Sequence, residues 1–150
     1  MKKKIIGFSI AALFLLGGCS AINTGAKGTT DNKQAYETVV VDTIQFKVKP
    51  LNKVNVIKKD GKKTQSLYGF EIKGENLSYL ESPGFGSSDF VLTTEDGKEH
   101  EIDDSIAYFG SEIAPNKSYT GKVYFSLDKN QKPKQLQYKL NNKVIFSWDV

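Results

Sequence analysis

The side chains that could do chemistry are few. His100 is the only histidine, and Asp104 and Ser105 lie close to it in sequence. Together they are the raw material of a nucleophile, base and orienting acid. Strand alternation and turns would have to deliver all three to one point, so a surface histidine on a hairpin is the simpler reading. A single imidazole also leaves no two-histidine metal site. Glu95, Asp96, Glu99, Glu101, Asp103 and Asp104 form an acidic stretch of the oxygen-donor type that suits calcium. Their spacing is not that of an EF-hand loop, and a period of two puts Glu99, Glu101 and Asp103 on one face. A solvated acidic strand edge competes with a weak calcium site. Nowhere does spacing assemble nucleophile, base and oxyanion donors, so neither catalysis, cofactor nor metal is expected.

The remaining reactive group is the thiol of Cys19, the only cysteine. It ends a three-part segment. Lys2, Lys3 and Lys4 form a cationic start, and Ile5 to Leu16 follow as an apolar run of about twelve residues. That run is short of the ~20 residues a spanning helix needs, but it suits a signal peptide. Leu16-Gly17-Gly18-Cys19 then resembles the bacterial lipobox. The resemblance implies cleavage between Gly18 and Cys19, with a diacylglycerol (palmitate-type chains) on the Cys19 sulfur. Acylation would also explain a lone thiol in an exported chain, and two or three acyl chains hold a membrane firmly where one does not. The expected location is the outer face of a cell membrane of Gram-positive type.

Charge narrows the partners further. The formal net charge is +4, and removing Lys2 to Lys4 leaves 4 − 3 = +1. Every basic residue is lysine, and without arginine the side chain best suited to bidentate phosphate and guanine recognition is missing. Nucleic acid is not an expected partner. The charges fall in blocks, basic from Lys47 to Lys73, acidic from Glu75 to Glu112, and basic again from Lys117. Neighbouring strands of opposite charge account for this pattern, and a dipolar surface is the alternative.

Three regions follow: a signal peptide helix over 1–18, a lipid-anchored flexible linker over 19–35, rich in Gly, Ser, Thr and Asn, and one domain over 36–150. The domain has strand periodicity. In Thr38 to Val48, Val40, Ile44, Phe46 and Val48 share a face with Asp42. Tyr68, Phe70 and Ile72 point inward from the next strand, as do Phe90 and Leu92 from a later one. Asp60-Gly61, Asp96-Gly97 and Asn141-Asn142 mark turns, and Ser82 to Ser88 reads as a loop. Lys98 to Ile102 reads as a short strand. Over Ser118 to Leu127, Tyr119, Gly121, Val123, Phe125 and Leu127 share one face; Leu136, Tyr138 and Leu140 alternate next, then Val144, Phe146 and Trp148. About seven to nine short strands without a long helical period predict an all-β, antiparallel β-sandwich.

Ser88-Asp89-Phe90-Val91-Leu92, then Asp96-Gly97-Lys98, then Ile113 through Phe125 resemble the bacterial domain-of-unknown-function family 4352. The resemblance spans about Val39 to Val150. It implies an Ig-like sandwich, similar to that of the immunoprotective extracellular antigen superfamily, often carried by lipoproteins. Asn76 stands where the family often has an asparagine closing an early strand. Asn116 replaces a usual turn glycine, which asparagine can do because it tolerates positive φ. The resemblance transfers no catalytic or ligand residues.

The candidate contact loop is Tyr79, Leu80 and Phe85, apolar residues in a turn-rich segment that should be exposed. Folding back over the end of the sandwich is the competing reading, and Tyr108 and Phe109 pose the same choice. The expected role is a membrane-anchored surface lipoprotein whose domain binds or adapts at the cell envelope, its partner an envelope protein or a glycan. The alternatives are a weak calcium- or glycan-binding envelope protein, or a pheromone precursor in which Ala12 to Gly18 is the apolar peptide.

Overall fold

A computed structural model describes residues 36–57 and 64–150. The signal peptide, Leu16-Gly17-Gly18-Cys19, the linker to residue 35 and the Asp60-Gly61 turn lie outside the described residues. Eleven strands form among the described residues: β1 Val39–Val41, β2 Ile44–Pro50, β3 Val54–Ile57, β4 Thr64–Asn76, β5 Gly84–Gly86, β6 Phe90–Thr94, β7 Glu99–His100, β8 Gly110–Glu112, β9 Ser118–Ser126, β10 Pro133–Leu140 and β11 Lys143–Asp149.

The strands make two antiparallel sheets and a ribbon. In the first sheet β4 is the long spine. It pairs with β2 from Ile44↔Asn76 to Pro50↔Phe70, with β3 from Val54↔Leu67, and with β9 from Glu75↔Ser118 to Leu67↔Ser126. Leu67 therefore has β3 on one side and β9 on the other, so β2 and β3 form one row along the same edge of β4. Pro50 interrupts that row, because it has no N–H to give to a ladder. β1 pairs with β2 and completes four rows. The second sheet runs β11-β10-β6-β7, again four rows, and β5 pairs with β8 as a small ribbon. Eight rows in two sheets is the all-β sandwich that the strand spacing predicts.

Alternation accounts for the core. Ile44, Phe46 and Val48 are buried on β2, Phe70 and Ile72 on β4, Val123 and Phe125 on β9, Leu136 and Tyr138 on β10, and Trp148 on β11. Phe46 is fully buried and central. Its ring meets those of Phe85, Phe90 and Trp148 edge-on and that of Tyr138 at 4.8 Å between centroids. Such edge-to-face pairs are favoured by the ring quadrupole and add to an area term of about 2 kcal/mol for burying a phenylalanine. The turns follow their residues: Gly97, Asn116, Asn141 and Asn142 all have positive φ. Asn141 and Asn142 give the two-residue hairpin between β10 and β11, whose twist matches the flanking strands.

Three local expectations are corrected. Thr38 to Val48 is not one strand: Asp42 has φ 51°, the chain turns back, and Val40 becomes 49% exposed while Val39 and Val41 pack on the core. Lys98 to Ile102 shrinks to the two residues of β7, with Ile102 forming an isolated bridge to Phe125. Ser82 to Ser88 is not all loop, since Gly84–Gly86 forms β5 and Ser87–Asp89 a 3-10 turn. The two glycines let β5 lie close to β8, where a Cβ on Gly84 would come within 2.8 Å of the Ser111 carbonyl oxygen.

Opposite charges meet across some strands, although Lys47 stands opposite Lys73. Glu71 stands opposite Lys49 on one side and Lys122 on the other. Lys139 reaches from β10 to Glu99 on β7, with 2.7 Å from Nζ to each carboxylate oxygen. Lys139 crosses β6 to do so, and Val91 of β6 is only 8% exposed.

Candidate functional site

The contact loop divides. β4 ends at Asn76, a residue 1% exposed whose side chain makes three hydrogen bonds. Its Nδ2 donates to the carbonyl oxygens of Glu81 and Ile113, both at 2.7 Å, and its Oδ1 accepts from the Ser78 N–H at 2.8 Å. Ser78 Oγ in turn accepts from the N–H groups of Leu80 and Glu81. The main chain is tied down as well: Asn76 N–H donates to the Lys117 carbonyl, Leu77 N–H to that of Thr43 and Ile113 N–H to that of Pro83. A turn fixed at so many points cannot collapse onto the sandwich. It holds Tyr79 81% exposed and Leu80 92% exposed, with Leu77 beside them at 42%.

Phe85 goes the other way and is only 3% exposed. The expectation that it lies on a contact surface is corrected. Gly74 on β4 has no side chain, and a Cβ there would strike the Phe85 ring. Phe109 packs edge-on against Phe85 at 5.7 Å between centroids, and a Cβ on Gly121 would stand 2.5 Å from the Phe109 ring. Two inward glycines on neighbouring strands thus make room for two rings, one from β5 and one from the loop before β8. That was the signal in the sequence, since Gly121 falls on the apolar face of its strand. Tyr108, next to Phe109, remains 60% exposed.

The histidine and acidic candidates do not converge. His100 lies opposite Leu92 in the sheet and is half-buried, and its Nε2 is buried without a hydrogen-bond partner among the described residues. No hydrogen bond joins it to Asp104 or Ser105; the Ser105 N–H donates instead to Asp103 Oδ1 at 2.9 Å. Among the described residues no three His, Cys, Asp or Glu side chains are grouped so as to hold a metal ion. Glu99 is bound by Lys139, Glu95 lies 4.0 Å from Lys132, and Asp96 serves a turn. Asp96 accepts from the Thr94 hydroxyl and from Gln131 Nε2, with the Lys98 N–H and ammonium beside it. Those donors, the Thr94 hydroxyl first, hold its carboxyl down to about 2. Glu95, Asp96, Glu99 and Asp103 are thus engaged by lysines or by groups of their own turns.

Similarity to known proteins was found at the level of family and fold. No curated protein matches the chain. Among solved structures, a secreted protein from Mycobacterium tuberculosis, MPT63, superposes with a TM-score of 0.52 at 16% identity, covering 85% of this chain and 99% of its own. A conserved hypothetical protein from Bacillus anthracis aligns at 12% identity over 78% of this chain and 96% of its own, with a TM-score of 0.45. The likeness to MPT63 shows a shared sandwich fold. No helix among the described residues is long and apolar enough to cross a membrane. Residues 34–147 match the family described as Domain of unknown function (DUF4352), which covers most of the sandwich and its Asn76 clamp, and the chain belongs to that family.

Proposed function

We propose that this protein is a lipid-anchored envelope lipoprotein whose sandwich works as a binding module, contacting a protein partner through the turn that carries Tyr79 and Leu80. The observation behind this reading is the exposure of those two side chains on a turn fixed by Asn76 and Ser78. Exposed tyrosine and leucine on a preordered turn lose little entropy on binding and offer apolar area to a recess in a partner. Anchoring on Cys19 rests on the sequence Lys2 to Cys19.

Placement is consistent with that role. The domain begins at Tyr36, whose N–H donates to the Val48 carbonyl and whose ring lies 6.4 Å from that of Phe70. Phe70 and Asn76 are six residues apart on β4, roughly 20 Å at ~3.3 Å per residue. Tyr36 therefore packs near the middle of β4, and the apolar turn follows the Asn76 end of that strand. The test is in-cell crosslinking with the full chain as bait beside a Tyr79→Ser/Leu80→Ser variant. A partner captured by the parent and lost in the variant supports the reading; equal capture by both defeats it. A Cys19→Ser chain that is matured and retained like the parent would remove the anchor.

A further inference from the structure

A cleft of about 600 Å³ lies between the start of β6, the segment after β7 and the β10-β11 turn. Its size is that of a small-ligand site, typically ~300–1,000 Å³, but its lining is mostly polar. The cleft's one lysine, Lys139, is held by both oxygens of Glu99 and is only 16% exposed. It has little charge left to offer. Two further carboxylates line the cleft, Asp89 and Glu101. Asp89 uses Oδ2 to accept the Gly86 N–H at 2.7 Å, which leaves Oδ1. With Glu99 neutralised by Lys139, the net charge of the lining is negative, and an anionic ligand is repelled.

The other lining groups are of a different kind. Asn141 and Asn142 bring carboxamides, each both donor and acceptor, fixed on a turn by their own positive φ. Tyr108 brings an aromatic ring 60% open to solvent. Among the described residues the side chains of Glu101, Tyr108, Asn141 and Asn142 make no intramolecular hydrogen bond. A simple cation needs only acceptors. Carboxylates, carboxamides and an aromatic face together match a ligand with hydroxyl groups that donate and accept around a ring whose C–H face is apolar.

We infer that this cleft is a saccharide-binding site for neutral or amino-bearing sugars, with Tyr108 as the stacking platform and Asp89, Glu101, Asn141 and Asn142 as the hydroxyl partners. The site shares no residue with the Tyr79 turn, so either can fail without the other. Saturation-transfer NMR on the full chain in detergent micelles, with chitotriose, its deacetylated glucosamine trimer, glycerol 3-phosphate and trilysine as probes, tests it. Both trisaccharides should receive saturation and glycerol 3-phosphate should not. Tyr108→Ala should weaken both sugars about tenfold, the effect of losing one aromatic contact. Glu101→Gln should weaken the glucosamine trimer more than chitotriose. Both positions are exposed, so unchanged melting curves would show that the variants are folded. Silence from both trisaccharides overturns the proposal, as does Tyr108→Ala binding them like the parent, or saturation of trilysine alone.

Discussion

The ring of Phe85 fills the place where a side chain on Gly74 would stand, and this joins the β5 ribbon to the Asn76 end of β4. Ile44 closes the same niche, its Cγ2 only 3.1 Å from a Cβ on Gly74. Gly74→Ala should therefore overpack the core and cost ~1–3 kcal/mol. Phe85→Ala should leave a cavity and cost ~3–5 kcal/mol. Because the added methyl would occupy part of the space that the ring vacates, the double variant should lose less than the two single losses together. Urea unfolding of the four proteins measures this directly. Strict additivity would mean that ring and backbone are not in competition.

Asn76 should behave as a structural clamp. Asn76→Ala leaves the Glu81 and Ile113 carbonyls and the Ser78 N–H without their partner. At about 1 kcal/mol net for each bond, a loss of ~2–4 kcal/mol is expected. Asn76→Asp should be no better, because an oxygen would face two carbonyl oxygens where Nδ2 now donates. Hydrogen exchange at Leu80 and Glu81 should accelerate in both variants. Slow exchange there in Asn76→Ala would show that Ser78 alone holds the turn.

Much of this arrangement could be read from the chain, for a physical reason. β9 alternates over its whole length, so Val123 and Phe125 were visible as core, and the positive φ of Asn116, Asn141 and Asn142 follows from asparagine in turn positions. Tyr79 and Leu80 were legible as exposed because apolar residues there sit among turn formers. Phe85 was not. Its burial depends on a glycine eleven positions earlier and on Phe109 from the loop before β8, and no local period encodes such contacts. Val91 is similar: its low exposure goes with a lysine and a glutamate that meet only because β10 and β7 flank β6. The cleft beside Tyr108 likewise joins segments distant in sequence.

Asp96 gives the fold an acid-sensitive turn. Its carboxyl titrates near 2, below the ordinary 3.8, because the Thr94 hydroxyl, then Gln131 and the Lys98 N–H, favour the charged form. A folded value below the unfolded one means that protons bind the unfolded chain more readily. The contribution of Asp96 should be complete above about pH 4 and vanish as pH falls through about 2. Thermal melts of the parent and Asp96→Asn should thus differ most near neutrality and converge toward pH 2. A constant gap across that range would assign the effect to packing instead.

The exposed pair Tyr79 and Leu80 separates binding from stability in a way that Phe85 cannot. Both project into solvent, so Tyr79→Ser/Leu80→Ser should change unfolding free energy by no more than about 0.5 kcal/mol. Phe85→Ser should instead put a hydroxyl into an aromatic core and unfold much of the population at physiological temperature. If partner capture is lost in the Tyr79/Leu80 variant while its denaturation midpoint stays with the parent, the turn is the contact itself. Loss of both together would instead mean that the two side chains pack against the domain, and that the apolar turn is part of the sandwich.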